Sequence, residues 1–212
     1  MRINPTAEIE PGVEIGLGTS IESHVHARGP ARIGKHCIVG EKTFIADGVD
    51  IGDRVNMDAF VYLCNGVVVE DAVMIGAGVV FTNDRYPRAT APDLRSLRES
   101  PGPDAQPTWV REGATVGAGA VIGPGLEIGR FAMVGMGSAV TRDVPPFHLV
   151  IGSPAVRVAL VCRCGNPMLR FRAGTVPDAG AVTCEACGLR YKVDAGDVIE
   201  LDTGELRDLG MS

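Results

Sequence analysis

Ile51-Gly52-Asp53-Arg54-Val55-Asn56 is one unit of a pattern that repeats without a slip through most of the chain. Stepping six residues at a time from Ile9 meets Ile15, Ile21, Ala27, Ile33, Val39, Ile45, Ile51, Met57, Leu63, Val69, Ile75 and Phe81, and all but Ala27 are large and apolar. Four residues beyond each of the first twelve, from Val13, Thr19, Val25, Ala31 and Cys37 on to Val79, comes a compact side chain. The pattern resumes in a new phase at Val110, Val116, Ile122, Ile128, Val134 and Val140. Six residues turn an α-helix by about 600° and would scatter these positions, whereas about 180° per residue in a strand returns them all to one face. The period therefore predicts short strands cut by Gly-rich turns. It predicts an all-β fold, a β-solenoid whose coils stack at about 4.8 Å. A β-sandwich would place its turns at irregular intervals of ~8–12 residues.

Composition agrees. The 212 residues include 28 glycines, while 45% apolar and 22% charged residues lie in the globular range and exclude disorder and collagen. No apolar run approaches the ~18 residues of a membrane span, and Met1-Arg2-Ile3-Asn4-Pro5 does not open a signal peptide. These features set the expectation of a cytoplasmic protein with no membrane span. A net charge of −6 offers no field for phosphate backbones, so no nucleic-acid partner is expected. Six cysteines in such a chain point to thiols or a metal site before disulfides.

The hexads resemble the hexapeptide-repeat acyltransferases, whose pattern of an aliphatic residue, often Gly, two variable positions and a small residue is matched by Ile51 to Asn56. The resemblance implies a left-handed parallel β-helix of about six triangular coils, each of three hexads. It also implies a homotrimer with active sites between neighbouring prisms. It extends over residues 1–159, the expected acyltransferase domain.

Between Phe81 and Val110 the repeat stops, leaving an expected external loop over 82–109 with five prolines from Pro87 to Pro107. Loops this long in a compact domain are usually functional or disordered. Its opening, Phe81-Thr82-Asn83-Asp84-Arg85-Tyr86-Pro87-Arg88, is similar to the motif of bacterial nucleotide-sugar N-acetyltransferases, including those that acylate the 3-amino group of UDP-linked diamino sugar acids and of dTDP-linked deoxysugars. The resemblance places Asn83 at the acceptor amine, with Asp84 and Arg88 beside the substrate. With coils of 18 residues, Asn65 and Asp47 share the column of Asn83, although Asn and Asp also simply fill turns. Asp58-Ala59-Phe60 departs from the Gln-Asn-Asn cluster of relatives, which puts Asp58 among the specificity residues.

The last coil, Val134-Gly135-Met136-Gly137-Ser138-Ala139-Val140-Thr141-Arg142, and then Gly152-Ser153-Pro154-Ala155-Val156-Arg157 match the family's terminal signature. In the family, coenzyme A lies along the later coils, so acetyl-CoA is the expected co-substrate. Gly117, Ala120, Gly137 and Ser138 would let backbone amides approach its pantetheine, and Arg142 and Arg157 are the phosphate candidates, with solvated arginines as the alternative.

Acyl transfer from a thioester needs a nucleophile, an exit for its proton and stabilisation of the oxyanion. The loop has no histidine; His24, His26, His36 and His148 all lie outside it. A sugar amine with a pKa near that of an α-amino group, ~7.7–8.0, needs orientation more than a strong base. That favours direct attack by a neutral amine, with Asn83 positioning it. His24 and His26 remain catalytic candidates, since a trimer can bring them to a neighbour's loop, and a hydroxyl acceptor would need one of them.

The hexads end at Ala159, and 160–212 forms an expected second unit. Cys162-Arg163-Cys164 and Cys184-Glu185-Ala186-Cys187, separated by the nineteen residues from 165 to 183, resemble a zinc ribbon with a shortened first pair. The expectation is a closed structural zinc site of four thiolates, against reduced cysteines or a redox pair. Two other readings compete: a zinc carbonic anhydrase on the same solenoid, for which His24, His26 and His36 lack the spacing, and a non-catalytic trimeric scaffold.

Overall fold

The computed structural model describes residues 1–98, 106–173, 175 and 179–201. Among them there is no helix. Strands of two or three residues lie on three parallel sheets, and each strand from Arg2–Ile3 to Val121–Ile122 pairs with the third one after it. Arg2 pairs with Ser20 and Ile3 with Ile21, a step of 18 residues, and the same step joins Phe44 to Tyr62 and Val13 to Ala31. The chain is a parallel β-helix of triangular section, as the hexads predict.

The first face runs from Arg2–Ile3 through Ser20–Ile21 and Asn56–Met57 to Met133–Val134 and His148–Gly152. The second stacks seven strands from Glu8–Ile9 to Ala139–Val140, and the third stacks six from Val13–Ile15 to Glu127–Ile128. The sixfold positions point inward, and Ile21, Ile45, Ile51, Leu63, Ile75 and Ile122 are all fully buried. Burying each such side chain contributes roughly 1.5–3 kcal/mol, so the repeat itself drives the fold. Compact residues fill the corners: Cys37, Val55 and Val61 are buried, and Thr19 and Thr43 turn their hydroxyls to the Gly34 and Asp58 carbonyls. Cys64 is also buried, and burial pushes its thiol up to about 11.

Among the described residues, one insertion between coils is present, and it follows Val80–Phe81. Val67 pairs with Thr108 and Val69 with Val110, so the strand Thr108–Val110 has already begun where the sequence left a loop, and the excursion occupies 82–107. Its described part turns back at Asp93, whose carboxylate accepts from the Ser96 hydroxyl and from the amides of Arg95 and Ser96 and is held at about 2.

At the other end, Ala155–Val161 runs antiparallel to His148–Gly152 and then pairs with Pro167–Arg170. This strand passes through position 159 without a break. A separate three-stranded antiparallel sheet follows, Gly180–Thr183, Arg190–Asp194 and Asp197–Glu200. Its Leu189 and Tyr191 pack with Cys162, Cys184 and Phe147 in a second small core.

Candidate active site

The second face and its two corners collect most of the residues singled out in the sequence. Along the corner between the second and third faces, Asp47 and Asn65 lie one coil apart. Asn65 Nδ2 donates to the Asp47 carbonyl at 2.7 Å and lies 3.2 Å from Asp47 Oδ2. From the coil below, Arg28, one residue before the column, reaches to 3.5 Å from Asp47. Above, Thr82 is still in register, donating from its amide and its hydroxyl to the Ile122 carbonyl. Asn83 is the next residue, half-buried at the point where the chain leaves for the loop. The hexad register thus holds the ends of the excursion, and Asn83 sits at its root. Arg142 occupies the same corner two coils beyond, exposed, just after Ala139–Val140.

Asp84, half-buried, closes a turn by accepting from the Tyr86 amide, and Arg88, exposed on the loop, donates to the Pro87 carbonyl.

The corner between the first and second faces carries His24, Asp58, Gly117 and Gly137. Asp58 is exposed beside Phe60, whose ring lies 5.0 Å beneath Lys42 Nζ. Asp58 and Asn83 therefore flank the second face from opposite edges. A Cβ on Gly117 would meet the Met136 amide nitrogen at 2.6 Å, whereas one on Gly137 would meet nothing within 4 Å. Gly117 is required by stacking, and Gly137 leaves open surface that an extended ligand could approach. Ala120 points into the core, and the buried Ser138 hydroxyl accepts from the Gly152 amide, so both side chains serve the solenoid. Arg157 lies off this face, on the antiparallel strand where it pairs with Val150.

On the second face itself, the outward row is His26, Phe44, Tyr62, Val80 and Val121. His26 meets Phe44 edge-on at 5.4 Å, and Phe44 stacks on Tyr62 at 5.2 Å. His26 Nε2 is 2.9 Å from Glu10, and that hydrogen bond holds the Glu10 carboxyl below its usual range. Three pairing steps separate His26 from Val80, about 14 Å at ~4.8 Å per coil, so one chain does not bring His26 to Asn83. His24 stands at the far corner of the same early coil.

A concavity of about 410 Å³ on the third face is lined by Asp50, Val68, Glu70, Trp109 and Glu112 among others. Arginines pair its carboxylates: Arg32 with Asp50, Arg111 with Glu70 and Arg130 with Glu112.

The four tail cysteines converge, with all Sγ atoms within 4.8 Å of one another. Cys162 and Cys187 are 3.4 Å apart, and Cys164 and Cys184 3.7 Å. Thiolates on a tetrahedral zinc at ~2.3 Å would lie about 3.8 Å apart, so the donor set fits that ion. The single residue between Cys162 and Cys164 is accommodated by a tight turn in which the Gly165 amide donates to the Cys162 carbonyl. Burial pushes Cys162 up to about 12, while at Cys164 burial is outweighed by the amide and side chain of Asn166 together with the Cys162 and Cys187 side chains, which draw the thiol down to about 6. The sequence reading missed Asn166, which donates to Cys164, and Tyr191, whose hydroxyl lies 3.1 Å from Cys162 Sγ. It also missed the ion pair of Arg163 with Glu200, a carboxylate only 4% exposed. None of these falls on the hexad period that guided the reading.

Comparison with known proteins agrees with this geometry. A family model described as "Hexapeptide repeat of succinyl-transferase" matches residues 30–64 and 108–142, one stretch on either side of the excursion. The dTDP-3-amino-3,6-dideoxy-α-D-galactopyranose 3-N-acetyltransferase of Aneurinibacillus thermoaerophilus is 46% identical over 94 residues, 44% of this chain and 45% of that protein. The bifunctional protein GlmU of Thermotoga maritima is 26% identical over 181 residues, 69% of this chain and 40% of that protein. The chain thus spans less than half the length of these curated relatives. Among solved structures, LpxA of Bacteroides fragilis, a UDP-N-acetylglucosamine acyltransferase, superposes with a TM-score of 0.59 at 15% identity, over 74% of this chain and 60% of that one, which shows a shared fold. Its hexads, its parallel coils and the matched repeats on both sides of the loop make the chain similar to the hexapeptide-repeat proteins.

Proposed function

We propose that the protein is a coenzyme A-dependent N-acyltransferase, acetyl-CoA being the donor, that acylates the amine of a nucleotide-linked amino sugar. The observation that carries this reading is the root of the loop: Asn83 half-buried directly after Thr82, on the corner where Asn65 and Asp47 are joined. The similarity to a dTDP-amino-sugar 3-N-acetyltransferase supports it. In this account the Asn83 amide orients the acceptor nitrogen, and Asp84, Arg88 and Asp58 surround the sugar and its nucleotide. The neutral amine attacks the thioester carbonyl, the C–N bond forms as the C–S bond breaks, and the ammonium proton leaves with the thiolate or to water. A solenoid amide takes the oxyanion. Gly137 offers the pantetheine an open stretch of backbone, and Arg142 a cation for its phosphates.

Exposed Tyr62, Val80 and Val121 on the second face support a homotrimer in which neighbouring prisms share each site. Both substrates are cytoplasmic metabolites, and we place the enzyme there. A hydroxyl acceptor with a histidine base is the second reading; it depends on a neighbour's His26 or His24 reaching Asn83. Thiol release from acetyl-CoA, with UDP- and dTDP-linked amino sugars tested beside their hydroxyl counterparts, separates the two. Release with an amino sugar alone supports N-acylation, and release only with hydroxyl sugars overturns it.

We further infer that the four cysteines hold one structural zinc. Metal analysis after growth in metal-replete medium tests this, and protein without zinc, iron or cobalt would discard it.

A further inference from the structure

At the corner between the third and first faces, every coil passes through a left-handed turn residue. Successive coils place Gly18, His36, Arg54, Ala72, Gly113, Phe131 and Phe147 there. A positive φ is uncommon for any residue with a Cβ and a genuine outlier for a bulky one, so two successive phenylalanines at +53° and +60° occupy positions where glycine would be easier. Their rings stand 5.4 Å apart, and Tyr191 from the tail meets Phe147 at 5.5 Å. Phe147 and Tyr191 are buried together with Cys162, Cys184 and Leu189, and Arg163 lies 5.3 Å over the Phe131 ring.

The backbone makes the same connection. The corner ladder of hydrogen bonds, Phe131 amide to Glu112 carbonyl and Phe147 amide to Arg130 carbonyl, continues with the Val161 amide to the Phe147 carbonyl. The next residue is Cys162. The Arg163 amide donates to the Tyr191 oxygen at 3.2 Å, which leaves the phenol's own hydrogen for Cys162 Sγ. A continuous line of contacts therefore joins the cysteine cluster to the last two coils.

We propose that the four-thiolate site is a clamp: the ion closes the tail into a module that docks on the Phe131–Phe147 corner through Tyr191 and so holds the end of the solenoid shut. This rests on the zinc reading and goes beyond it, since a structural zinc could equally stabilise a tail that leaves the solenoid unchanged. It is independent of the acyltransferase reading.

The test is hydrogen exchange on the full chain, as purified, after chelator treatment, and after reloading with zinc, with metal content measured on each sample. The clamp predicts about one zinc per chain. Removal should speed exchange in residues 144–161 by about tenfold or more while residues 20–75 stay protected, and zinc should reverse the change. Bound zinc whose removal leaves 144–161 unchanged would overturn the clamp and leave the zinc reading standing; protein that takes up no metal in any sample would overturn both. Phe147→Gly supplies a second arm outside the metal ligands. A turn with no docking role should tolerate or prefer glycine at this φ, whereas the clamp expects faster exchange in 148–161 with zinc still bound. Unchanged exchange in this variant counts against the clamp.

Discussion

Asn65 reaches down one coil to Asp47, its Nδ2 donating to the Asp47 carbonyl at 2.7 Å, and this pair lies beneath Asn83 at the root of the loop. The column gives Asn83 a fixed base, since Thr82 immediately before it is tied to Ile122 by both amide and hydroxyl. A residue so placed can hold an amine without holding the fold together.

Asn83→Ala is therefore expected to lower kcat/KM for the amino sugar by about tenfold or more, the usual scale of a lost positioning contact, with an unchanged melting temperature. Steady-state kinetics and thermal unfolding on the same preparation check this. Near-wild-type turnover would remove Asn83 from the mechanism.

Two glycines separate stacking from ligand access. Gly117→Ala places a Cβ 2.6 Å from the Met136 nitrogen, so the corner must shift and stability should fall clearly. Gly137→Ala meets no atom, and its φ of +67° should cost only about 1 kcal/mol. If the donor lies along this corner, Gly137→Ala should instead raise the KM for acetyl-CoA.

His148 makes the stability pH-dependent. It is 1% exposed, Nδ1 donates to the Pro146 carbonyl, and Nε2 is buried without a partner. Burial lowers its pKa below 6.5, the nearby Arg157 charge adds to this, and the Pro146 carbonyl and Asp197 oppose it. The unfolded chain thus takes up this proton before the folded one does. The His148 contribution is present above pH 6.5 and is lost as pH falls toward the depressed folded value. His148→Gln, which cannot titrate, should flatten the decline in melting temperature between about pH 7 and pH 5. An unchanged slope would place the acid sensitivity elsewhere.

The core and the surface ladders should differ sharply in cost. Ile51→Ala, at a fully buried position, is expected to cost about 2–5 kcal/mol in chemical unfolding. Cutting the half-exposed pair of Arg32 with Asp50 should cost less than about 1 kcal/mol.

The fold was legible because one physical rule generates it: a six-residue period puts Ile21, Val39, Met57 and Ile75 on one inner wall, and no other common element does so. The loop was legible as the place where that rule lapses, and the Asp47–Asn65 pair as an 18-residue step. Contacts made outside the period were not. Thr108 and Trp109 pair with Val67 and Val68 across the excursion, Arg142 sits at a corner while Arg157 lies on the antiparallel strand, and Tyr191 meets Cys162 and Phe147 only through the folding of the tail. The phenylalanines at 131 and 147 carried a signal, since they fall in the corner column where Gly113 precedes them. It becomes readable once the column's left-handed φ is known.

The most direct test of the central claim is mass spectrometry of the product formed from acetyl-CoA and a dTDP-linked 3-amino-3,6-dideoxyhexose. The account predicts one added acetyl group that resists mild alkali, as an amide does and an ester does not, formed at least about tenfold more slowly by Asn83→Ala. An alkali-labile acetyl group, or amide product formed equally fast without the Asn83 side chain, would contradict it.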